Sequence, residues 1–291
     1  MASSPPLSRR ALLAALAALP LAGRAVAAPS AWTPVPALAA LERTHGGRLG
    51  VCVLDTATSA RSGHRPDERF ALCSTFKALL AGHVLARVDR GEEQLDRAVP
   101  VVAADLVSHS PVVERHVGAT ISLRALCHAT VTVSDNAAAN LLLAALGGPA
   151  ALTTFVRTLG DTVTRLDRTE PSLNVVDLRA GDERDTTTPA AMAGSLAALL
   201  VGGALRPDAV ALLTTWLRES STGLTRLRGG LPAAWLPGDK TGTGPDGETN
   251  DVAVGWPPGR GPVVVTAYYD RAGRDTTKNA AVLAEVGRIV G

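Results

Sequence analysis

The pentapeptide CSTFK, residues 73–77, sets a serine and a lysine three positions apart, directly after the apolar RFAL. From Ser74 to about Arg90, apolar residues recur at helical spacing. Lysine is scarce: three residues (Lys77, Lys240, Lys278) against 26 arginines. A helix opening at Ser74 puts Lys77 one turn later on the same face. It also puts the serine at the positive helix end, where backbone N–H groups stabilise an oxyanion. A serine hydroxyl is a weak nucleophile and needs a base. A lysine whose neighbours or burial lower its proton affinity can serve; an arginine cannot. The competing reading has Ser74 as a plain helix cap and Lys77 in water.

Around this stretch lies a chain of 291 residues, 46% apolar and 19% charged. That length and composition predict a sizeable core in one large domain or two modest ones. No internal repeat is evident. The segment SRRALLAALAALPLAG, residues 8–23, places two arginines before a short apolar run that Pro20 interrupts, and AVAA follows. This reads as an export leader over residues 1–28, cut after Ala27 or Ala28. Its Arg9–Arg10 pair resembles a twin-arginine signal, with an ordinary secretory leader as the rival. Removing the leader's three arginines turns the formal charge of +2 into about −1. The apparent basicity therefore argues for no nucleic-acid partner, and near-neutrality points to a small-molecule partner or an uncharged surface role. Three cysteines (Cys52, Cys73, Cys127) exclude a full disulfide framework. The six histidines form no HxH or HExxH pair, so no metal is expected.

Strands are expected at the two ends of the chain and helices between them. PALAALERTHGG reads as a helix and RLGVCVLDTATS as a strand. SLRALCHATVTVSDNAAANLLLAALGG reads as helical runs broken around VSDN, and two further helices start at prolines and end near glycines. RLDRTEPSLNVVDLRAGDERDTT reads as a long surface loop. AWLPGDKTGTG, NDVAVGW and PVVVTAYYD read as three strands, and NAAVLAEVGRIV as a closing helix. Terminal strands meeting in one sheet, with an all-helical insertion, satisfy this order.

Three more signals stand beside Ser-x-x-Lys. SDN, Ser134–Asn136, interrupts an apolar helical region, where its hydroxyl and amide either face a cleft or form a turn. In DKTGTG, Asp239–Gly244, lysine appears again. Strand alternation points Thr241 and Thr243 to one face and Lys240 to the other, unless the lysine bends over. Gly242 permits close approach of a ligand to the backbone. In EPSLN, Glu170 and Asn174 stand four apart and are able to hold a water for general-base activation.

Ser-x-x-Lys, Ser-Asp-Asn, Glu-x-x-Leu-Asn and Lys-Thr-Gly, in that order, resemble the class A serine β-lactamases over nearly the whole mature sequence. The resemblance implies an α/β plus all-α, β-lactamase/transpeptidase-like fold. Its antiparallel sheet would be built from both chain ends, 29–72 and 214–291. Its helical part would span 73–213 and include an active-site loop at 165–185. It implies that Ser74 attacks the β-lactam carbonyl, with the N–H groups of Ser74 and Thr243 as oxyanion hole. Ser134 would protonate the leaving nitrogen, Lys77 and Lys240 would tune the two serines, and Asn136 would bind the substrate's side-chain amide. Glu170 and Asn174 would hold the hydrolytic water. Whether Lys77 or Glu170 activates Ser74 stays open. No cofactor is implied, the partner is a β-lactam, and a monomer, exported to the periplasm or medium, is expected.

Departures from the family pattern bear on specificity. Thr249 stands where many relatives place an arginine for the substrate carboxylate, and Arg226 is the expected replacement. His109 stands where an aromatic residue is common. The loop between Asn174 and Asp182 is about two residues longer than usual, with Arg168 and Asp185 as its expected ion pair. Gly244 leaves Cys73 without a disulfide partner, which counts against a carbapenemase. The alternatives are a penicillin-binding D,D-peptidase and a β-lactam sensor that stays acylated. Neither has a dedicated deacylation base, so Glu170 with Asn174 is the discriminating pair.

Overall fold

The run Arg48–Asp55 is apolar on both sides of the strand it forms, so it must be covered on both faces. The computed structural model describes Met1, residues 33–271 and residues 275–291. Apart from Met1, the expected leader lies outside these residues. In chain order the elements are β1 (Thr33–Pro34), α1 (Pro36–His45), β2 (Arg48–Asp55), β3 (Arg61–His64), β4 (Phe70–Ala71) and α2 (Phe76–Asp89). There follow β5 (Ala98–Pro100), β6 (Thr120–Ser122), α3 (Leu123–Thr132), α4 (Asn136–Leu146), α5 (Pro149–Thr158), β7 (Thr186–Thr187), α6 (Pro189–Leu200) and α7 (Pro207–Glu219). The chain closes with α8 (Leu227–Gly230), β8 (Gly238–Thr243), β9 (Thr249–Gly255), β10 (Val263–Asp270) and α9 (Thr276–Val290).

The main sheet runs β1-β3-β2-β10-β9-β8 and so joins the two ends of the chain. Its pairs are antiparallel except for the two-residue edge strand β1, which lies parallel to β3. That edge strand leads straight into α1, whose first turn starts at Pro36. Alternation divides the strand residues between two cores. Cys52, Leu54, Val252, Val254, Val264 and Tyr268 face the larger one, which the helices α2–α7 complete. Leu49, Val51, Ala253, Val265, Ala267 and Tyr269 face the smaller one, under α1, α8 and α9.

Helix α2 is buried from Phe76 to Ala86. An apolar helix with no polar stripe has no face to give to water. Leu79, Leu80 and Leu85 are almost fully buried, each worth about 1.5–3 kcal/mol of transfer free energy. The sheet and the helical part share the larger core, and the expected boundary at 213/214 falls inside α7. Helix α7, strand β3 and the three-residue pair β5/β6 add to the elements expected from the sequence. The cysteines are free and buried. Among the described residues no single helix is long and apolar enough to cross a membrane.

Glu42 ties α1 to the sheet. Its carboxylate accepts Leu49 N–H at 2.8 Å and the Arg65 guanidinium at 2.9 Å, and lies 3.3 Å from the His64 ring. Burial raises its pKa, but the Arg65 and Leu49 bonds outweigh that and hold it at about 2, below the usual 4.5. A depressed carboxylate stabilises the fold above its unfolded value and loses that contribution as pH falls through the folded one. The melting-temperature gap between wild type and Glu42→Gln should therefore be widest near pH 7 and close between about pH 4.5 and 2. A gap constant over that range would contradict this role.

Candidate active site

Ser74 sits in a 3-10 turn, Cys73–Thr75, that runs directly into α2. The turn forces Cys73 to φ 43°. It is locked by the Thr75 hydroxyl, which donates to Leu72 C=O at 2.7 Å. Strand β8 presses close against it: a Cβ on Gly242 would come within 3.0 Å of Cys73 Cβ and 3.1 Å of Leu72 O. Glycine is the residue that permits this approach. One turn on, Lys77 is fully buried.

The break between α3 and α4 is organised by Asp135. One carboxylate oxygen caps α4 through Ala138 N–H at 2.8 Å, as an N-cap does. The other accepts Val112 N–H at 2.8 Å and Val113 N–H at 3.1 Å. Ser134 is thereby held at φ 61° between two ammonium groups. Its hydroxyl oxygen lies 3.3 Å from Lys77 Nζ and 3.1 Å from Lys240 Nζ. Lys77 also donates to Ser134 C=O at 2.9 Å and to Asn136 Oδ1. Burial lowers the pKa of Lys77, against the pull of Glu170. Burial, and then the charge of Lys77, lowers that of Lys240 further. Both effects weaken the hold of each lysine on its proton in a dry site.

Residues 165–185 form a loop with 3-10 turns at Ser172–Asn174 and Leu178–Ala180. Its two ends are joined by Asp185, which is fully buried. Asp185 accepts the N–H groups of Asp167 and Arg168 at 2.7 and 3.0 Å and the Arg168 guanidinium at 2.6 Å. Held this way, the loop turns Glu170 inward, to 3% exposure. Glu170 Oε1 accepts the Ser74 hydroxyl at 3.0 Å and Lys77 at 3.0 Å. Oε2 accepts the Asn174 amide at 2.6 Å, so the carboxylate and amide touch directly.

The strand alternation expected for DKTGTG holds. Lys240 pairs with Val252 and shares its face, toward the helices, while Thr241 and Thr243 take the opposite face. Because β8 is the free edge strand, both sets border the cleft. The bond from Gly244 N–H to Glu248 C=O sets the phase of the ladder. Alternate residues of an antiparallel edge strand donate outward, so the N–H of Thr243 points off the edge. Behind it, the Arg226 guanidinium donates to Gly242 C=O at 2.8 Å, Asn250 C=O at 2.7 Å and Thr243 Oγ1 at 2.7 Å. Thr249 is fully buried, and its hydroxyl is turned to Gly247 C=O.

Ser74, His109, Ser134, Asn136, Glu170, Asn174, Arg226, Thr241 and Thr243 line one cavity of about 330 Å³, together with Thr222. Lys77, Lys240 and Gly242 lie behind that lining, Lys77 against Ser134 and Glu170, Lys240 against Ser134 and Gly242 against Cys73, and Arg168 with Asp185 stands at the base of the loop. The His109 ring is bonded to Val133 C=O at 2.8 Å. Of the seven described non-glycine residues with positive φ, four (Cys73, His109, Ser134, Asp185) border or support this cavity. Each such conformation costs about 1–3 kcal/mol, and strain of this kind concentrates at functional sites.

A family model described as the β-lactamase enzyme family matches residues 34–291. β-Lactamase L2 of Stenotrophomonas maltophilia is 47% identical over 96% of this chain and 94% of its own. CTX-M-8 of Citrobacter amalonaticus is 46% identical over 87% and 86%. The solved structure of an ancestral (GNCA) class A β-lactamase superposes with a TM-score of 0.85 at 59% identity, covering 88% of this chain and 98% of that one. The chain belongs to the class A β-lactamases. It is accordingly a hydrolase of the β-lactam ring.

Two residues of this β-lactamase's site carry no motif. Thr222 bonds Thr241 across the cleft floor, hydroxyl to hydroxyl, at 2.7 Å. Asn140 accepts Glu170 N–H and donates to Glu170 C=O, both at 2.9 Å, and so clamps the loop to α4. The available signal was its spacing: Asn140 stands four residues after Asn136, on the same helix face. Asn140→Ala removes both bonds, each worth about 0.5–1.5 kcal/mol. Urea unfolding should show a loss of about 1–3 kcal/mol, and kcat should fall at least tenfold. Unchanged kcat with an unchanged unfolding midpoint would contradict the clamp.

Proposed function

We propose that this class A β-lactamase hydrolyses penicillins and cephalosporins through an acyl-enzyme on Ser74, released by a water that Glu170 activates. The observation that carries this reading is the 3.0 Å contact between the Ser74 hydroxyl and Glu170 Oε1 in one cavity. A base within hydrogen-bond reach of the nucleophile also reaches a water set beside the ester carbonyl that this nucleophile forms.

In acylation, Ser74 Oγ bonds to the lactam carbonyl carbon while the N–H groups of Ser74 and Thr243 hold the oxyanion. The Ser74 proton is directed at Glu170, which favours the carboxylate as base for this step too. The ring C–N bond then breaks. Ser134 supplies the proton to nitrogen and regains one from Lys77, which in turn takes the Ser74 proton from Glu170, so the carboxylate is ionised again before deacylation. The Ser134 oxygen already accepts from two ammonium groups, which leaves its own O–H free to donate. In deacylation, water adds to the ester carbonyl, Glu170 takes its proton, and the C–Oγ bond breaks as Ser74 recovers a proton. Asn174 orients Glu170 through the 2.6 Å bond. Asn136, with one amide N–H on Ser108 C=O, has its second free for the substrate's acylamino group. Arg226 is the cation for the substrate carboxylate, and His109 forms the cleft edge. No cofactor is required. We further propose that the chain acts as an exported monomer, by the twin-arginine route, and confers antibiotic resistance.

Many turnovers of a chromogenic cephalosporin per enzyme are expected, abolished in Ser74→Ala. A single burst of one equivalent would instead identify a D,D-peptidase or an acylated sensor.

A further inference from the structure

Arg226 is a nearly buried cation, 9% exposed, without a contact counter-ion among the described residues: its donors go to two carbonyls and a hydroxyl. The acid nearest by pairing is Asp251 on β9, opposite Thr241 and fully buried. One Asp251 oxygen accepts the N–H of Leu227 at 3.0 Å, and the other is buried with no hydrogen-bond partner. A buried carboxylate with one N–H donor and no contact cation is poorly compensated as an anion. The second acid on this face, Asp239, has its own cation, Arg228, and the Ser220 hydroxyl.

We propose that Asp251 is a positioning residue for the substrate-carboxylate subsite: by accepting Leu227 N–H it fixes the chain at Arg226, so that the guanidinium spans Gly242, Asn250 and Thr243 with its charge left for the substrate. The inference rests on the reading of Arg226 given above. Burial and the charge of Asp239 push the Asp251 carboxyl well above the usual carboxylate range. Leu227 N–H needs only an acceptor oxygen, which the carboxyl supplies in either protonation state and without touching the Arg226 guanidinium. Arg226 is the N-cap of α8, at φ −105° and ψ −134°, and has no side-chain cap bond. Within the first turn that follows, the Leu227 N–H has no intrahelical acceptor, and Asp251 supplies one. Leu227 is itself fully buried in the smaller core, so the anchor is rigid on both sides. The position of Arg226 is thus set from behind the sheet, by a residue that does not touch the cleft.

The test compares one penicillin with its methyl ester, which lacks the anionic carboxylate, as the ratio of kcat/KM for acid over ester. Arg226→Ala should lower this ratio at least tenfold. Asp251→Ala should lower it at least threefold, through KM for the acid, with kcat within twofold of wild type. Asp251→Asn, neutral and still an acceptor, should restore the ratio to within twofold. Should Asp251→Ala not fold, Asp251→Ser, one atom short of Leu227 N–H, takes its place with the same expectation. If Arg226→Ala lowers the ratio but Asp251→Ala affects acid and ester alike, the positioning role is overturned and the reading of Arg226 stands. If Asp251→Asn is as damaging as Asp251→Ala, a charge rather than an acceptor is needed, and the inference also fails. If Arg226→Ala leaves the ratio unchanged, the reading of Arg226 fails and the inference with it.

Discussion

One carboxylate oxygen, Oε1 of Glu170, meets both the Ser74 hydroxyl and the Lys77 ammonium at 3.0 Å. Around it the structure concentrates charge where water is scarce. Lys77 and Lys240 are fully buried and Glu170 is nearly so. Burying an isolated ion costs several kcal/mol, and only close partners offset it. The three groups therefore depend on one another, with Ser134 between the two ammonium groups. A pair that lost one member would leave an uncompensated charge, so the arrangement acts as a unit.

The fold answers that constraint with parts far apart in the chain. Lys77 comes from the buried first three turns of a helix, Ser134 from a strained break between helices, Glu170 from a loop and Lys240 from an edge strand. The break and the loop are fastened by polar residues of their own, and the strand by a close approach. Asp135 holds the break, Asp185 and Asn140 hold the loop, and Gly242 lets the strand close on the turn that carries Ser74. Rigid backing of this kind keeps catalytic groups within tenths of an ångström of working geometry.

Much of this was legible in the sequence, and the reason is local. The strands after Pro237 announce themselves by β-branched runs between turns, and α1, α5 and α6 by proline at the start. Their period fixes which side chains share a face, as Lys240 against Thr241 and Thr243 illustrates. The illegible parts depend on distance. Asn140 meets Glu170 across 30 positions, and Arg226 meets Asn250 across 24. No spacing rule reaches that far. The three-residue strands β5 and β6 are too short for a period to register, and Thr222 is one hydroxyl in a turn with nothing to set it apart. The ordered set of four short motifs compensated for this, because together they bring in the arrangement of a family.

The central claim is that the base touching Ser74 is also the one that frees it. The most direct measurement is intact-protein mass spectrometry of Glu170→Gln after mixing with a penicillin. The account predicts an adduct of one whole penicillin mass, mapped to the Ser74 peptide and persisting for minutes to hours, while wild type returns to its free mass within the mixing time. A variant that carries no adduct yet clears the drug at the wild-type rate would contradict it.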